Sequence, residues 1–140
     1  MPTKGGIVKG YARMWPRKVF DIRVKNKLPI SVREALKESG VYVLYRDGMP
    51  YYIGKTTGKL FDRLQSHANH TGSKMYSFWD YFSVFVVPDK HHIDEVESIL
   101  IAAIPTANSA KPKIRPKINL PPEIVRILTK ERFIREDKHR

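Results

Sequence analysis

The chain has 140 residues, no cysteine, and 26 Lys and Arg against 14 Asp and Glu, for a net charge of +12. That length predicts one domain with appended arms, long enough to bury a core without disulfide or metal staples. Lack of cysteine excludes thiol nucleophiles, disulfide frameworks, iron–sulfur clusters and thiolate zinc sites. The longest uninterrupted apolar stretch, Ile99 to Pro105, is far short of a membrane span, so no membrane partner is expected. No apolar run follows the N-terminal Met-Pro-Thr-Lys-Gly-Gly, so the expectation is a soluble, cytoplasmic protein.

The charge divides the chain into three. Residues 1–39 carry +7, residues 40–108 carry −1 and residues 109–140 carry +6. Two basic flanks around a neutral middle suit a polyanion, because each phosphate neutralised by Lys or Arg releases condensed counterions. Nucleic acid is therefore the expected partner. Charge by itself separates neither DNA from RNA nor binding from chemistry.

In chain order, the first thirty residues show no clear period and read as irregular chain or short strands. Ser31-Val32-Arg33-Glu34 has the form of a capping box and predicts a short helix over 32–38. Val41 to Arg46 reads as a strand, Asp47-Gly48 as a turn and Pro50 to Gly54 as the returning strand. If Asp47-Gly48 forms a three-residue loop with Arg46, Tyr45 opposes Met49 and Tyr42 stands across from Tyr52; a two-residue turn would separate the two tyrosines. Lys59 to about His70 is predicted helical, with Leu60, Phe61, Leu64 and Ala68 on one face. Phe82 to Val87 reads as a strand and Ile93 to about Ile104 as a second amphipathic helix, stopped by Pro105. Residues 105–122 hold five of the ten prolines and read as an extended basic linker. Pro121-Pro122 then starts a last helix with Ile124, Val125 and Leu128 as its apolar stripe. The middle is thus a β-β-α-β-α unit of the α/β (α+β) class, a short, mostly antiparallel sheet flanked by helices. The expected organisation is a basic extension at 1–38, a domain at 39–108, and a basic proline-rich linker and helix at 109–140.

Some polar residues stand where apolar ones belong. On the second helix Ile93, Val96, Leu100, Ile101 and Ile104 share one broad face, and Glu97 falls inside it. A carboxylate there is costly unless it is paired or holds a metal. A glutamate at the stripe's edge, neutralised by an arginine, is the plain alternative. On the first helix Arg63 and His67 are four residues apart, one above the other beside the apolar face. A cation clamp beside a metal carboxylate is what phosphate chemistry needs. Gly54 allows close backbone approach after Tyr52, and Lys55 adds a compact positive charge.

These residues carry a resemblance. Gly40-Val41-Tyr42, followed ten residues after Tyr42 by Tyr52-Ile53-Gly54-Lys55-Thr56, is similar to the paired signature of the GIY-YIG nuclease superfamily. Arg63 with His67 resembles that family's first motif helix, Glu97-Ser98-Ile99-Leu100-Ile101 its metal-ligand glutamate, and Pro105-Thr106-Ala107-Asn108 its closing motif. Five ordered motifs span residues 39–108. Val41 replaces the isoleucine of the first tripeptide, a volume-conserving change. The arms lie outside the resemblance.

The resemblance implies a metal-dependent endonuclease that hydrolyses phosphodiester bonds of DNA. Its catalytic set would be Tyr42, Tyr52, Lys55, Arg63, His67, Glu97 and Asn108. Glu97 would hold one Mg²⁺, with water and phosphate oxygen completing the shell, and Mn²⁺ should substitute. Arg63 would clamp the scissile phosphate. Tyr42 or Tyr52 would take the proton of the attacking water, or Lys55 or His67 would relay it. Bringing a tyrosine pKa from near 10 to about 7 takes roughly 4 kcal/mol, for which Lys55, Arg63 and the metal are the available cations. Asn108 would secure the Glu97 helix or the outer shell of the metal, or merely turn the chain. His91-His92 read as an exposed helix start. Backbone contacts are expected from Lys55, Arg63, Arg13, Arg17, Lys18, Lys111, Lys113, Arg115 and Lys117. Trp15, Phe20, Trp79 and Phe133 are candidates for stacking on unpaired bases, burial being the alternative. A single site nicks one strand at a time, so double-strand breaks would need a homodimer or two events. The competing readings are a non-cleaving nucleic-acid adaptor on the same fold and an RNA- or structure-directed nuclease.

Overall fold

The computed structural model describes residues 6–27, 29–69, 78–106, 111–112, 114 and 117–134. Strands β1 (Gly10–Pro16), β2 (Gly40–Arg46), β3 (Met49–Thr56) and β4 (Tyr81–Val86) form one sheet in the order β1-β4-β2-β3. Helices α1 (Ile30–Ala35), α2 (Leu60–Asn69), α3 (Ile93–Ala103) and α4 (Pro122–Lys130) complete an α+β fold, with 3-10 turns at Arg17–Phe20 and Lys90–His92. All three pairings are antiparallel, not merely most of them. The β-β-α-β-α run is as the hydrophobic periods predict. Among the described residues no helix is long and apolar enough to cross a membrane.

Strand alternation gives the sheet two buried faces. Tyr42, Leu44, Phe82 and Val84 point to one, where Leu60, Phe61, Leu64 and Ala68 of α2 meet Phe20, Leu36 and Trp79. Val41, Val43 and Ile53 point to the other, beneath Ile93 and the half-buried Val96, Leu100, Ile101 and Ile104. Burying each of these aliphatic side chains contributes about 1.5–3 kcal/mol. The two helices thus clamp the sheet from opposite sides. The apolar stripe of α4 belongs to neither cluster, and Ile124 and Ile127 are 38% and 50% exposed.

Three expectations need correction. The N-terminal extension contributes a strand to this sheet: β1 pairs with β4, with a bulge between Ala12 and Trp15. The predicted helix at 32–38 runs instead over Ile30–Ala35, with Pro29 at its cap and no side-chain capping bond. Val32 N–H donates to the Pro29 carbonyl, so Ser31 already lies inside the first turn and no capping box forms. The helix ends early because α2 takes the next carbonyls: Phe61 N–H donates to Leu36 O at 2.8 Å and Leu60 N–H to Glu38 O at 2.9 Å. Those are first-turn donors that α2 cannot satisfy itself.

The third correction concerns the β2–β3 hairpin. Asp47 (φ 51°) and Gly48 (φ 80°) form a two-residue turn, both in the left-handed region, and Arg46 pairs with Met49. This is the loop whose twist matches that of the strands, and it makes Tyr45 oppose Pro50, not Met49. Tyr42 lies opposite Gly54, and Tyr52 opposite Leu44. The turn alone would put Tyr42 and Tyr52 on different faces. The register passes over Tyr51, however, and this bulge flips the rest of β3 back, so both tyrosines reach the α2 face.

Candidate active site

The site is built around the outer strand β3, with α2 on one side and α3 on the other. On the α2 side the Tyr42 hydroxyl lies 2.8 Å from His67 Nε2. The ring centroids of Tyr42 and Tyr52 are 6.2 Å apart, and those of Tyr52 and His67 are 6.1 Å apart. Gly54 makes this convergence possible. A Cβ there would sit 2.5 Å from Tyr42 Cζ and Oη and 2.7 Å from Tyr52 Cε2, so the glycine is required by space and not by backbone conformation.

On the α3 side Lys55 forms an ion pair with Asp94, and its Nζ is 3.9 Å from Glu97 Oε1. The Glu97 side chain is only 13% exposed. Glu97 is thus a largely buried carboxylate on α3 that faces a lysine. Asp94 was not a candidate from the sequence, which puts it on the rim of the helix. Its spacing of three from Glu97 is the signal that could have found it, since i and i+3 neighbour each other on a helix.

Electrostatics tie the two sides together. Burial is the main influence that raises the Tyr42 hydroxyl well above the usual tyrosine range, and Tyr52 and Glu97 add to it while Arg63 opposes it. Arg63 thus acts on Tyr42 in the expected direction, and burial outweighs it. Lys55 is spent on α3 carboxylates. His67 is lowered to about 4, first by burial and then by the Arg63 charge. At neutral pH the pair is a phenol and an uncharged imidazole joined by one proton, and the tautomer decides which donates.

Arg63 is exposed on α2 and lines a groove of about 280 Å³ with Thr56, Gly58, Lys59, Asp62 and Ser66. Six of the seven expected catalytic residues therefore gather at one strand: Tyr42, Tyr52 and His67 as a ring cluster, Arg63 within its field, and Lys55 with Glu97. Asn108 lies outside the described residues, as do Lys113 and Arg115. Lys111 and Lys117 are exposed, and so are Arg13 and Lys18. Arg17 braces the fold instead. Its Nη2 donates to Ala68 O at the end of α2, its Nη1 to Trp79 O, and the guanidinium lies over the Trp79 ring. Phe20 and Trp79, candidates for base stacking, are core residues at 0% and 2% exposure. Trp15 packs edge-on against Phe82, whereas Phe133 is exposed. His91 is exposed at the turn before α3, paired with Asp89. A larger cavity, about 580 Å³ beside α4, shares no residue with this site.

No family model matches the chain, and no curated protein matches it. Among solved structures it is similar to the GIY-YIG N-terminal endonuclease domain of UvrC from Thermotoga maritima. A tyrosine-to-phenylalanine point mutant of that domain, bound to its catalytic divalent cation, is 28% identical, with 59% of this chain and 99% of that chain covered and a TM-score of 0.46. An asparagine-to-alanine mutant gives 26% identity over 59% and 99%, with a TM-score of 0.47. The domain bound to magnesium gives 27% over 56% and 96%, with a TM-score of 0.45.

Proposed function

We propose that the chain is a divalent-cation-dependent endonuclease that hydrolyses phosphodiester bonds of DNA at the edge of β3. One observation carries the reading. A buried tyrosine hydroxyl hydrogen-bonded to an uncharged histidine lies within the fields of both an arginine and a nearly buried glutamate. A proton acceptor, an anion clamp and a metal-type carboxylate are the parts that metal-assisted phosphodiester hydrolysis combines. They come from the motifs by which the sequence resembles the GIY-YIG nucleases.

The donor set fits a hard cation. Among the described residues no group of three or more His, Asp or Glu is placed to hold a metal. Glu97 would hold the ion, with water and phosphate oxygen completing the shell, the sparse protein ligation that Mg²⁺ accepts and Mn²⁺ shares. When bound, the ion supplies charge stabilisation at the leaving oxygen. Arg63 holds a non-bridging oxygen of the scissile phosphate from the α2 side through its N–H donors. His67, uncharged at neutral pH, holds the Tyr42 oxygen by the 2.8 Å hydrogen bond and aims it at the incoming water, whose proton the Tyr42 oxygen takes in its ionised form, the form that the Arg63 charge favours. Tyr52, on the same face, positions that water. Lys55, paired with Asp94, neutralises the α3 carboxylates and keeps an anionic substrate from being repelled there.

Nicking of supercoiled plasmid tests this. Wild-type protein with Mg²⁺ or Mn²⁺ should convert it to open circles, chelator should stop the reaction, and Glu97→Ala should not nick while still binding DNA. Equal nicking by Glu97→Ala would refute the assignment of the metal carboxylate. Salt-sensitive binding by both proteins, without metal-dependent product on duplex, single-stranded or branched DNA, would favour the non-cleaving adaptor.

A further inference from the structure

A pair of aromatic side chains that the sequence does not single out lies against the outer strand. Tyr51 and Phe78 stack with ring centroids 6.3 Å apart and planes 5° from parallel. Phe78 is 50% exposed and Tyr51 half-buried. At that separation the parallel rings are offset, and half of the Phe78 surface remains toward solvent. The stack is fixed from two sides: Tyr51 is the residue that the bulge leaves without a cross-strand partner, and Arg46 Nη1 donates to the Phe78 carbonyl at 3.2 Å. It belongs to the same outer strand that carries Tyr52, Gly54 and Lys55. Tyr51 lies four positions before Lys55 on the strand, about 13 Å at the usual rise, within reach of a short run of nucleotides.

From this geometry we infer that Tyr51 and Phe78 form a base-stacking shelf. It takes an unpaired nucleotide of the substrate strand a few positions from the scissile phosphate. The inference rests on the nuclease reading and narrows its substrate class to DNA with a single-stranded or locally unpaired segment. Charge complementarity names the occupant. At one end of β3 the exposed Lys59 and Arg63 line the groove beside Thr56, and at the other stands Arg46, 54% exposed and 3.9 Å from Asp47, while Lys55 is paired with Asp94; the shelf thus has a cation toward each end of the strand. A planar apolar surface between cations suits a base between phosphates, since every base offers a π-face and stacking is sequence-tolerant. In a paired duplex that face is already stacked and is not available to Phe78.

The test separates the shelf from the chemistry by working in chelator. Single-stranded DNA of about twelve nucleotides, carrying 2-aminopurine, is titrated with wild type, Phe78→Ala and Phe78→Leu, and compared with the matching duplex. Wild type should quench the fluorophore and prefer the single strand. Both variants should lose the quench, and that preference should fall about tenfold, the size expected for one base–aromatic contact. Phe78→Leu keeps apolar bulk over Tyr51 and answers for an alanine variant that fails to fold. Wild-type quench and preference in both variants would overturn the inference, as would an equal loss for single strand and duplex. Binding in chelator does not depend on cleavage, so failure of the nuclease reading would show itself separately, in the plasmid assay.

Discussion

Gly54→Ala is the sharpest perturbation the structure offers. The new methyl would stand 2.5 Å from Cζ and Oη of Tyr42, against 3.4 Å for ordinary contact, so that side chain must retreat by about 0.9 Å. Tyr42 is 1% exposed and hydrogen-bonded to His67, so it cannot retreat freely. Overpacking of this kind costs about 1–3 kcal/mol, and the stretched hydrogen bond adds roughly 1 kcal/mol. Gly54 does not have positive φ, so alanine returns about 0.4–1 kcal/mol by restricting the unfolded chain. The expected net loss is roughly 2 kcal/mol, a melting temperature lower by roughly 4–10 °C for a chain of this size. Thermal and urea unfolding of a double-mutant cycle with Tyr42→Ala tests the cause. Without the Tyr42 ring, the remaining contact is to the edge of the half-buried Tyr52, which can rotate, and Gly54→Ala should cost less than about 0.5 kcal/mol. Gly40→Ala is the contrast, because its methyl would meet the Phe85 carbonyl oxygen at 2.1 Å and truncating a tyrosine cannot relieve that. If Gly54→Ala costs nothing in wild type, or the same in both backgrounds, Gly54 is not where the tyrosine pair makes its room.

Two further outcomes are expected. Tyr42→Phe keeps the ring over Gly54 and removes only the hydroxyl, so plasmid nicking should collapse while stability changes by about 1 kcal/mol; nicking at the wild-type rate would remove Tyr42 from the proton path. His67 is held below its unfolded value, so the folded protein binds fewer protons than the unfolded chain between pH 6.5 and about 4. Stability is full above pH 6.5 and declines as the pH falls through that window. Unfolding of wild type and His67→Gln at several pH values should show the steeper decline in wild type, and parallel profiles would refute the burial argument.

The parts legible in the sequence are those set by local period. The apolar face of α2 was readable residue by residue, and Glu97 was found because a carboxylate broke a stripe. What was not legible depends on distant chain. β1 has no period of its own because its partner, β4, lies some seventy residues on. The predicted hairpin register was wrong, yet the conclusion that Tyr42 and Tyr52 share a face survived. The shorter turn moved the register by one and the bulge at Tyr51 moved it back, and nothing local announces a bulge. Basic composition likewise does not tell that the Arg17 guanidinium donates to the carbonyls of Ala68 and Trp79. The protonation states were equally hidden, because the burial that raises Tyr42 and lowers His67 is supplied by the packed fold.

The strand order also fixes an order of assembly. During synthesis β1 leaves the ribosome first but has no partner until β4 follows, by which time the β2–β3 hairpin can already have closed. The sheet is therefore completed from its oldest end. Until then β4 presents a row of unpaired amides and carbonyls beside β2, an open template for a second nascent chain. β1 closes that template and is itself a poor one. Its bulge, the left-handed Met14 and the terminal Pro16 interrupt the outer ladder, and Arg13 adds charge to it. β1 thus gives that edge of the sheet a broken ladder, a poor template for a second chain.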